Sequence, residues 1–385
     1  MPPTSETVRL LEALVGFDTT ARSSNLGLLA FVEALLDDHD VPHERVSSPD
    51  GTRANLIARI GPAVPGGVVL SAHTDCVPAH GQPWSSDPYV LREDGDRLYG
   101  RGTADMKGFL AAVLAAVPRM SRTPLTRPVL LALSYDEEVG TIGAPSLVER
   151  LVATQPRPEA VIVGEPTSME VVTAHKGVRI HTMVVHGLDA HSSQPHRAAN
   201  AIAAAARVAT RIDDLAAAHR EAAADPRFDP PYTTFNLATI EGGQAINIVP
   251  RRCELTWEYR PVPADDSLAI RDEVARFAQE EVLPRLRATT GQGEIVLGED
   301  AVARALAPDG GPAEALAREL AGYDGPARTV AFATDGGHFQ AAGLSTVVCG
   351  PGSIDQGHQP DEYIELAQLT ACEAFLDRLV DRLAE

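Results

Sequence analysis

The sequence predicts an α/β fold in which a central, mostly parallel sheet is flanked by helices and interrupted by a smaller α+β domain. Three observations carry this. The runs that begin at Val68, Val129 and Ala160 are short and apolar, and runs of that length without polar alternation read as strands buried on both faces. Each empties into chemistry-bearing residues: His73 and Asp75; Asp136, Glu137 and Glu138; Glu165. After Lys176-Gly177 the pattern changes to β-α-β-β-α-β over residues 178–299, the split βαβ order of a ferredoxin-like domain with one sheet and two helices.

At 385 residues the chain is long for a single core, so two domains are expected. The charge balance is 33 Lys plus Arg against 53 Asp plus Glu, a formal −20. That excess disfavours nucleic acid or an anionic membrane as partner and suits a small cationic molecule. Cys76, Cys253, Cys349 and Cys372 lie far apart with no CxxC pair, which fits a reducing compartment without a disulfide framework. No basic stretch followed by an apolar core opens the chain, and residues 109–117, the longest apolar segment, are about half a bilayer span. The expectation is a cytoplasmic protein with no membrane contact.

Taken in order, residues 6–15 have helical spacing (Val8, Leu11, Leu14, Val15) with Ser5 as N-cap, and 26–36 form a second amphipathic helix. Residues 55–60 and 68–75 read as strands joined by a turn through Gly66-Gly67. Residues 76–104, rich in Pro and Gly, read as a loop that leads to Asp105 in a glycine-flanked turn just before a helix at 109–120. A helix N-terminus there favours an anion. In the insert, strands are expected at 178–186, 233–241, 246–259 and 294–297, with helices at 198–215 and 267–286. The chain then resumes helix at 312–321, strand at 345–349, a loop through His358, and a closing helix at 364–383.

Ligands of open α/β sheets sit beyond the carboxyl ends of the strands, which is where this sequence places His73, Asp75, Glu137, Glu138 and Glu165; Asp105 and His358 lie in loops. Carboxylates are rarely buried unless paired or metal-bound. Two imidazoles with several carboxylates suit zinc or a similar divalent ion. One shared carboxylate allows two ions ~3.5–4 Å apart, as in co-catalytic hydrolase sites. Adjacent Glu137 and Glu138 diverge at a strand end, so one can bind metal while the other acts as general base. Asp75, two residues past His73, can accept the imidazole N–H that the metal does not use. No GxSxG, Walker A or GxGxxG pattern competes.

The strings Ser71-Ala72-His73-Thr74-Asp75, Gly100-Arg101-Gly102-Thr103-Ala104-Asp105-Met106-Lys107-Gly108, Asp136-Glu137-Glu138-Val139-Gly140 and Gly164-Glu165-Pro166-Thr167 resemble the co-catalytic metallopeptidase family. That family includes acetylornithine deacetylase, succinyl-diaminopimelate desuccinylase, aminoacylases and glutamate-releasing carboxypeptidases. Phe17-Asp18-Thr19-Thr20, Ala174-His175-Lys176-Gly177 and Gly350-Pro351-Gly352-Ser353-Ile354 look most like its acetylornithine-deacylating branch. The resemblance implies a metallopeptidase-like domain at 1–177 and 300–385, and a lid and dimerisation domain at 178–299. It implies two divalent ions, zinc with cobalt able to substitute: one held by His73, Asp105 and Glu165, the other by Asp105, Glu138 and His358. Glu137 would be the general base and Asp75 the orienter of His73. His191 would stabilise the oxyanion in a neighbouring subunit of a homodimer, and Asn247 and Arg260 would hold the substrate carboxylate. The implied reaction is amide hydrolysis of a small N-acyl amino acid, N2-acetyl-L-ornithine first, with succinyl-diaminopimelate, acetylcitrulline or a peptide as rivals, and a metal-free binder of the same fold as the non-enzymatic one. Thr334-Asp335-Gly336-Gly337-His338 departs from the glutamate-containing segment of some relatives. It is expected to line the substrate side-chain pocket, with His338 as a further possible ligand.

Overall fold

Apolar runs without alternation become the inner strands of an eight-stranded sheet in the computed structural model, which describes residues 5–385. In chain order the strands are β1 (His43–Ser47), β2 (Ala54–Ile60), β3 (Val68–His73), β4 (Arg92–Asp94), β5 (Arg97–Tyr99), β6 (Val129–Ser134), β7 (Ala160–Val163), β8 (Val172–His175), β9 (Val178–His186), β10 (Thr234–Gly242), β11 (Arg252–Arg260), β12 (Glu294–Ala303), β13 (Arg328–Val330), β14 (Thr346–Val348) and β15 (Tyr363–Glu365). The chain forms two compact units, one ending at His175 and resuming at Leu306–Glu385, the other Lys176–Ala305.

In the first unit the large sheet runs β1-β2-β6-β3-β7-β14-β8-β13. β3 is parallel to both β6 and β7, with His73 beside Ser134 and Ser71 beside Val163. β14 is parallel to β7 and β13 to β8, whereas β1, β2 and the β14–β8 pair run antiparallel. The in-register parallel trio delivers three strand ends to one edge. Successive side chains of β3 face opposite ways. Leu70 packs in a core with Leu11, Leu14, Phe109, Val113, Phe375 and Leu379, while Val69 joins Leu130, Val161, Leu147, Leu151 and Phe339. Helices Glu6–Val15, Gly108–Arg122 and Leu366–Ala384 thus cover one face, and Ala144–Thr154 and Gly336–Ala341 the other. Each fully buried Leu or Phe contributes about 1.5–3 kcal/mol.

Ser5 caps the first helix by accepting from the Val8 amide. The 76–104 segment holds more order than a loop: β5 pairs with β4 on one side and β15 on the other in a three-stranded sheet. A strand reading Arg92-Glu93-Asp94 has no apolar alternation to reveal it.

The second unit is a four-stranded antiparallel sheet, β10-β11-β9-β12. Helix Ala201–Ala222 and the helical run through 267–287 pack on it. Ala201, Ala204, Ala205 and Val208 meet Met183, Val185, Leu255 and Trp257. Three elements differ from expectation: the unit's first helix runs from Ala201 to Ala222 rather than 198–215. β11 begins at Arg252 rather than 246, because Pro250 has no N–H for a ladder. β12 continues to Ala303 across a register shift between Glu299 and Ala301, so its polar middle hid its length. Among the described residues no helix is long and apolar enough to cross a membrane.

Candidate metal centre

His73 is the last residue of β3. Its Nδ1 lies 2.9 Å from the Asp75 backbone carbonyl, which leaves Nε2 pointing at Asp105 Oδ1, 2.9 Å away, and Glu165 Oε1, 3.6 Å away. A neutral imidazole donates from one nitrogen and accepts or ligates with the other. The bond to the carbonyl therefore frees Nε2 as the donor to a cation. Sequence reasoning expected the Asp75 carboxylate in that role. It lies 3.7 Å from Nδ1 and instead accepts the amides of Glu137 and Glu138, each at 3.1 Å. Asp75 orients the imidazole through its main chain and holds the glutamate turn through its side chain.

That turn follows β6. Asp136 has φ 52°, and its carboxylate accepts from the Arg22 amide at 2.6 Å and from the Arg53 guanidinium, so it faces away from the cluster and pins the turn. Glu138 Oε2 is 2.9 Å from His358 Nε2, and Asp105 Oδ2 is 3.2 Å from the same nitrogen. Asp105 thereby touches both imidazoles, one with each oxygen. Glu137 offers an oxygen within 4.8 Å of ligand atoms of His73 and Glu165; Asp105 and Glu138 group with His73 at the same reach. Glu165 follows β7 at a close chain crossing. A Cβ on Gly164 would sit 2.1 Å from the Phe109 ring, and one on Gly350 would sit 2.0 Å from the Gly164 carbonyl, so both positions require glycine. His73, Asp105, Glu137, Glu138, Glu165 and His358 are all brought together in the first unit.

Electrostatics show what such a cluster needs. Burial opposes a charged His73, yet Glu165, Asp105 and Asp75 outweigh it and hold the imidazole well above its ordinary value. Burial, then the charge of Glu165, pushes Glu137 well up. Burial, then Asp105, does the same to Glu165 and lifts Glu138 to about 7. Hydrogen bonds to Asp105 and Glu138 raise His358 to about 10. Asp105 goes the other way: burial would raise it, but hydrogen bonds from His358 and His73 hold it below the usual carboxylate range. Glu138 Oε1 is buried without a hydrogen-bond partner among the described residues.

The residues fit a divalent metal. Zinc bonds of ~2.0–2.2 Å in a tetrahedron place neighbouring donors about 3.3–3.6 Å apart. Of the donor separations here, 3.6 Å lies in that range, while 2.9, 2.9 and 3.2 Å are hydrogen-bond distances short of it by a few tenths of an ångström. Two cations would accommodate the carboxylates that otherwise must take up protons, and one would occupy the orphaned Glu138 oxygen.

His191, Asn247 and Arg260 lie in the second unit. His191 bridges Ile248 and shares a 2.7 Å hydrogen bond between Nδ1 and Ser193 Oγ, while the Ser192 amide donates to the Asn247 carbonyl at 2.9 Å. Arg260 ends β11 with Nε 3.2 Å from Glu258 Oε1. The structure sets the segments carrying His191 and Asn247 side by side through these backbone contacts and places Arg260 at the end of a strand.

Two residues of the 334–338 segment have unexpected places. Asp335, 2% exposed, accepts a 2.6 Å hydrogen bond from Ser134 Oγ at the end of β6; burial lifts it to about 6 against that bond. His338 Nε2 is 2.8 Å from Thr141 Oγ1, where the glutamate turn closes. The segment buttresses the turn that presents Glu137 and Glu138, and His338 spends Nε2 there rather than on the cluster. A pair of polar residues spaced three apart beside glycines was the only local hint.

A sheet of this order with imidazoles and carboxylates gathered at its carboxyl edge is the architecture of a metallohydrolase. The chain belongs to peptidase family M20/M25/M40, whose model matches residues 69–382, and it is an amide-hydrolysing enzyme of the metallopeptidase type. It is 34% identical over 387 aligned residues to a protein from Myxococcus xanthus named acetylornithine deacetylase, covering 96% of this chain and 95% of the relative. In fold it is similar to an M20 family metallo-carboxypeptidase from Sulfolobus solfataricus (TM-score 0.72, 17% identity, 99% of each chain). It is also similar to a Bacillus subtilis protein described as a dinuclear metal binding peptidase of the M20 family (TM-score 0.64, 17% identity, 98% of each chain).

Proposed function

We propose that this chain hydrolyses the amide of N2-acetyl-L-ornithine, giving L-ornithine and acetate, with two divalent ions at the cluster. Zinc suits the donors, and cobalt can replace it. The observation that carries the mechanism is the division of labour between neighbours: Glu138 is engaged by His358 at 2.9 Å, whereas Glu137 groups with His73 and Glu165. A carboxylate placed beside the ions can take a proton from water and return it. When bound, the ions supply positive charge that acidifies a water and polarises the scissile carbonyl. His73, Asp105 and Glu165 would hold one ion, and Asp105, Glu138 and His358 the other. Glu137 takes the proton of the attacking water and delivers it to the leaving amine. His191 as oxyanion donor, and Asn247 and Arg260 as binders of the substrate carboxylate, belong to the same proposal. A guanidinium matches a carboxylate bidentately.

The choice of acyl amino acid rests on the names of the relatives at about one-third identity. Its test is turnover on acetylornithine against succinyl-diaminopimelate, acetylcitrulline and dipeptides. The highest kcat/KM on acetylornithine is expected, and faster release of succinate or of peptide-derived amino acids would reassign the substrate. A cytoplasmic homodimer paired through the second unit is also proposed. β10 is an edge strand of its sheet and exposes Leu237 and Ile240, and such unpaired ladders are templates for a second chain. Sedimentation equilibrium should give twice 40.8 kDa; a single-chain mass at working concentration would remove the dimer.

A further inference from the structure

Glu362 is a buried carboxylate that the mechanism does not use, 1% exposed. Both oxygens are taken by one short stretch of chain. Oε1 accepts the amides of Ala104 at 2.9 Å and Asp105 at 3.1 Å; Oε2 accepts the Gly102 amide at 3.0 Å and Arg101 Nη1 at 2.8 Å. The Glu362 carbonyl accepts the Gly100 amide at 2.9 Å, so main chain and side chain grip the same turn. Arg101 is itself fully buried. It contacts the Gln82 side chain, and its Nη1 lies 3.4 Å from the Gln359 carbonyl. The gripped turn presents Asp105, and the loop that carries Glu362 presents His358 four residues earlier, at φ 63°.

An isolated buried carboxylate is costly, whereas one that accepts charge-assisted and amide hydrogen bonds is satisfied. This one uses its full acceptor capacity to fix backbone rather than to meet another side chain alone. Asp105 and His358 come from segments more than two hundred residues apart, and nothing in either sequence sets their spacing. We infer that Glu362 is a positioning residue that sets Asp105 and His358 in register before any cation arrives, so that the ion shared by Asp105, Glu138 and His358 binds a prepared site. This rests on the reading of the cluster as a two-ion centre.

Zinc titration of chelator-stripped protein, followed by metal analysis, tests both statements separately. Wild type is expected to bind two ions per chain; fewer than two at saturation would sink the two-ion reading. Glu362→Gln keeps the shape but places an NH2 donor against N–H groups. It should hold both ions more weakly, since Asp105 serves each, with the 10–100-fold loss usual for an outer hydrogen-bond partner falling on the site that also needs His358. Glu362→Asp, which keeps the charge, should fall between them. A folded Glu362→Gln protein that binds both ions as tightly as wild type overturns the inference. Amide hydrogen exchange on metal-free wild type tests it without any variant and whatever the titration gives. The amides of Gly102, Ala104 and Asp105 should already be protected; exchange at the rate of an open loop, with protection only after zinc, would show that the ion rather than Glu362 organises the turn.

Discussion

Glu137→Gln lowers kcat by about 10²–10⁴-fold, the range associated with losing a positioned general base, while metal content stays at the wild-type value. The second half of that expectation decides the role. Glu137 lies within ligand reach of His73 and Glu165, so distance alone would also allow it to bind metal. What separates it from Glu138 is company: the latter meets His358 at 2.9 Å and leaves its other oxygen buried and unpartnered. Loss of a bound ion in Glu137→Gln would make it a ligand, and full activity would defeat the proposed chemistry or favour a binder of the same fold.

Metal removal abolishes turnover and leaves a protein whose stability falls as pH rises. In the metal-free fold Glu138 sits near 7 and His358 near 10, and Glu137, Glu165 and His73 are also raised. A raised group binds protons more tightly folded than unfolded. Its stabilisation is complete below the unfolded value and is lost as pH climbs through the folded one. The window therefore opens near the ordinary glutamate range and extends to about pH 10, the value at His358. Asp105, held low, has the opposite sign, but its loss falls at acid pH outside this window. Cations replace those protons, so added zinc should raise Tm more at pH 8 than at pH 6. At a thousand-fold excess over Kd the stabilisation approaches ~4 kcal/mol. A metal-free Tm that rises between pH 6 and pH 8 would contradict this account.

Much of the site was legible without coordinates. His73, Glu137, Glu138 and Glu165 each follow an apolar run, and a strand end is a local property that period and composition reveal. The exceptions share a cause. Asp75 holds the Glu137 and Glu138 amides across 62 and 63 residues, and Asp335 reaches Ser134 across 201; no periodicity encodes such pairings. Charged three-residue strands such as β4 were hidden because their partners, rather than their own side chains, make them strands.

By itself the sequence determined the donor inventory, the strands that present most of it, and the change of pattern that marks the second unit, since these follow from residue type and short-range spacing. Only the tertiary structure decided which atom of each residue serves which neighbour. A carboxylate is equally able to bind metal, cap an amide or pair with arginine, and the choice among them is made by whatever the fold places within about 3 Å of its oxygens.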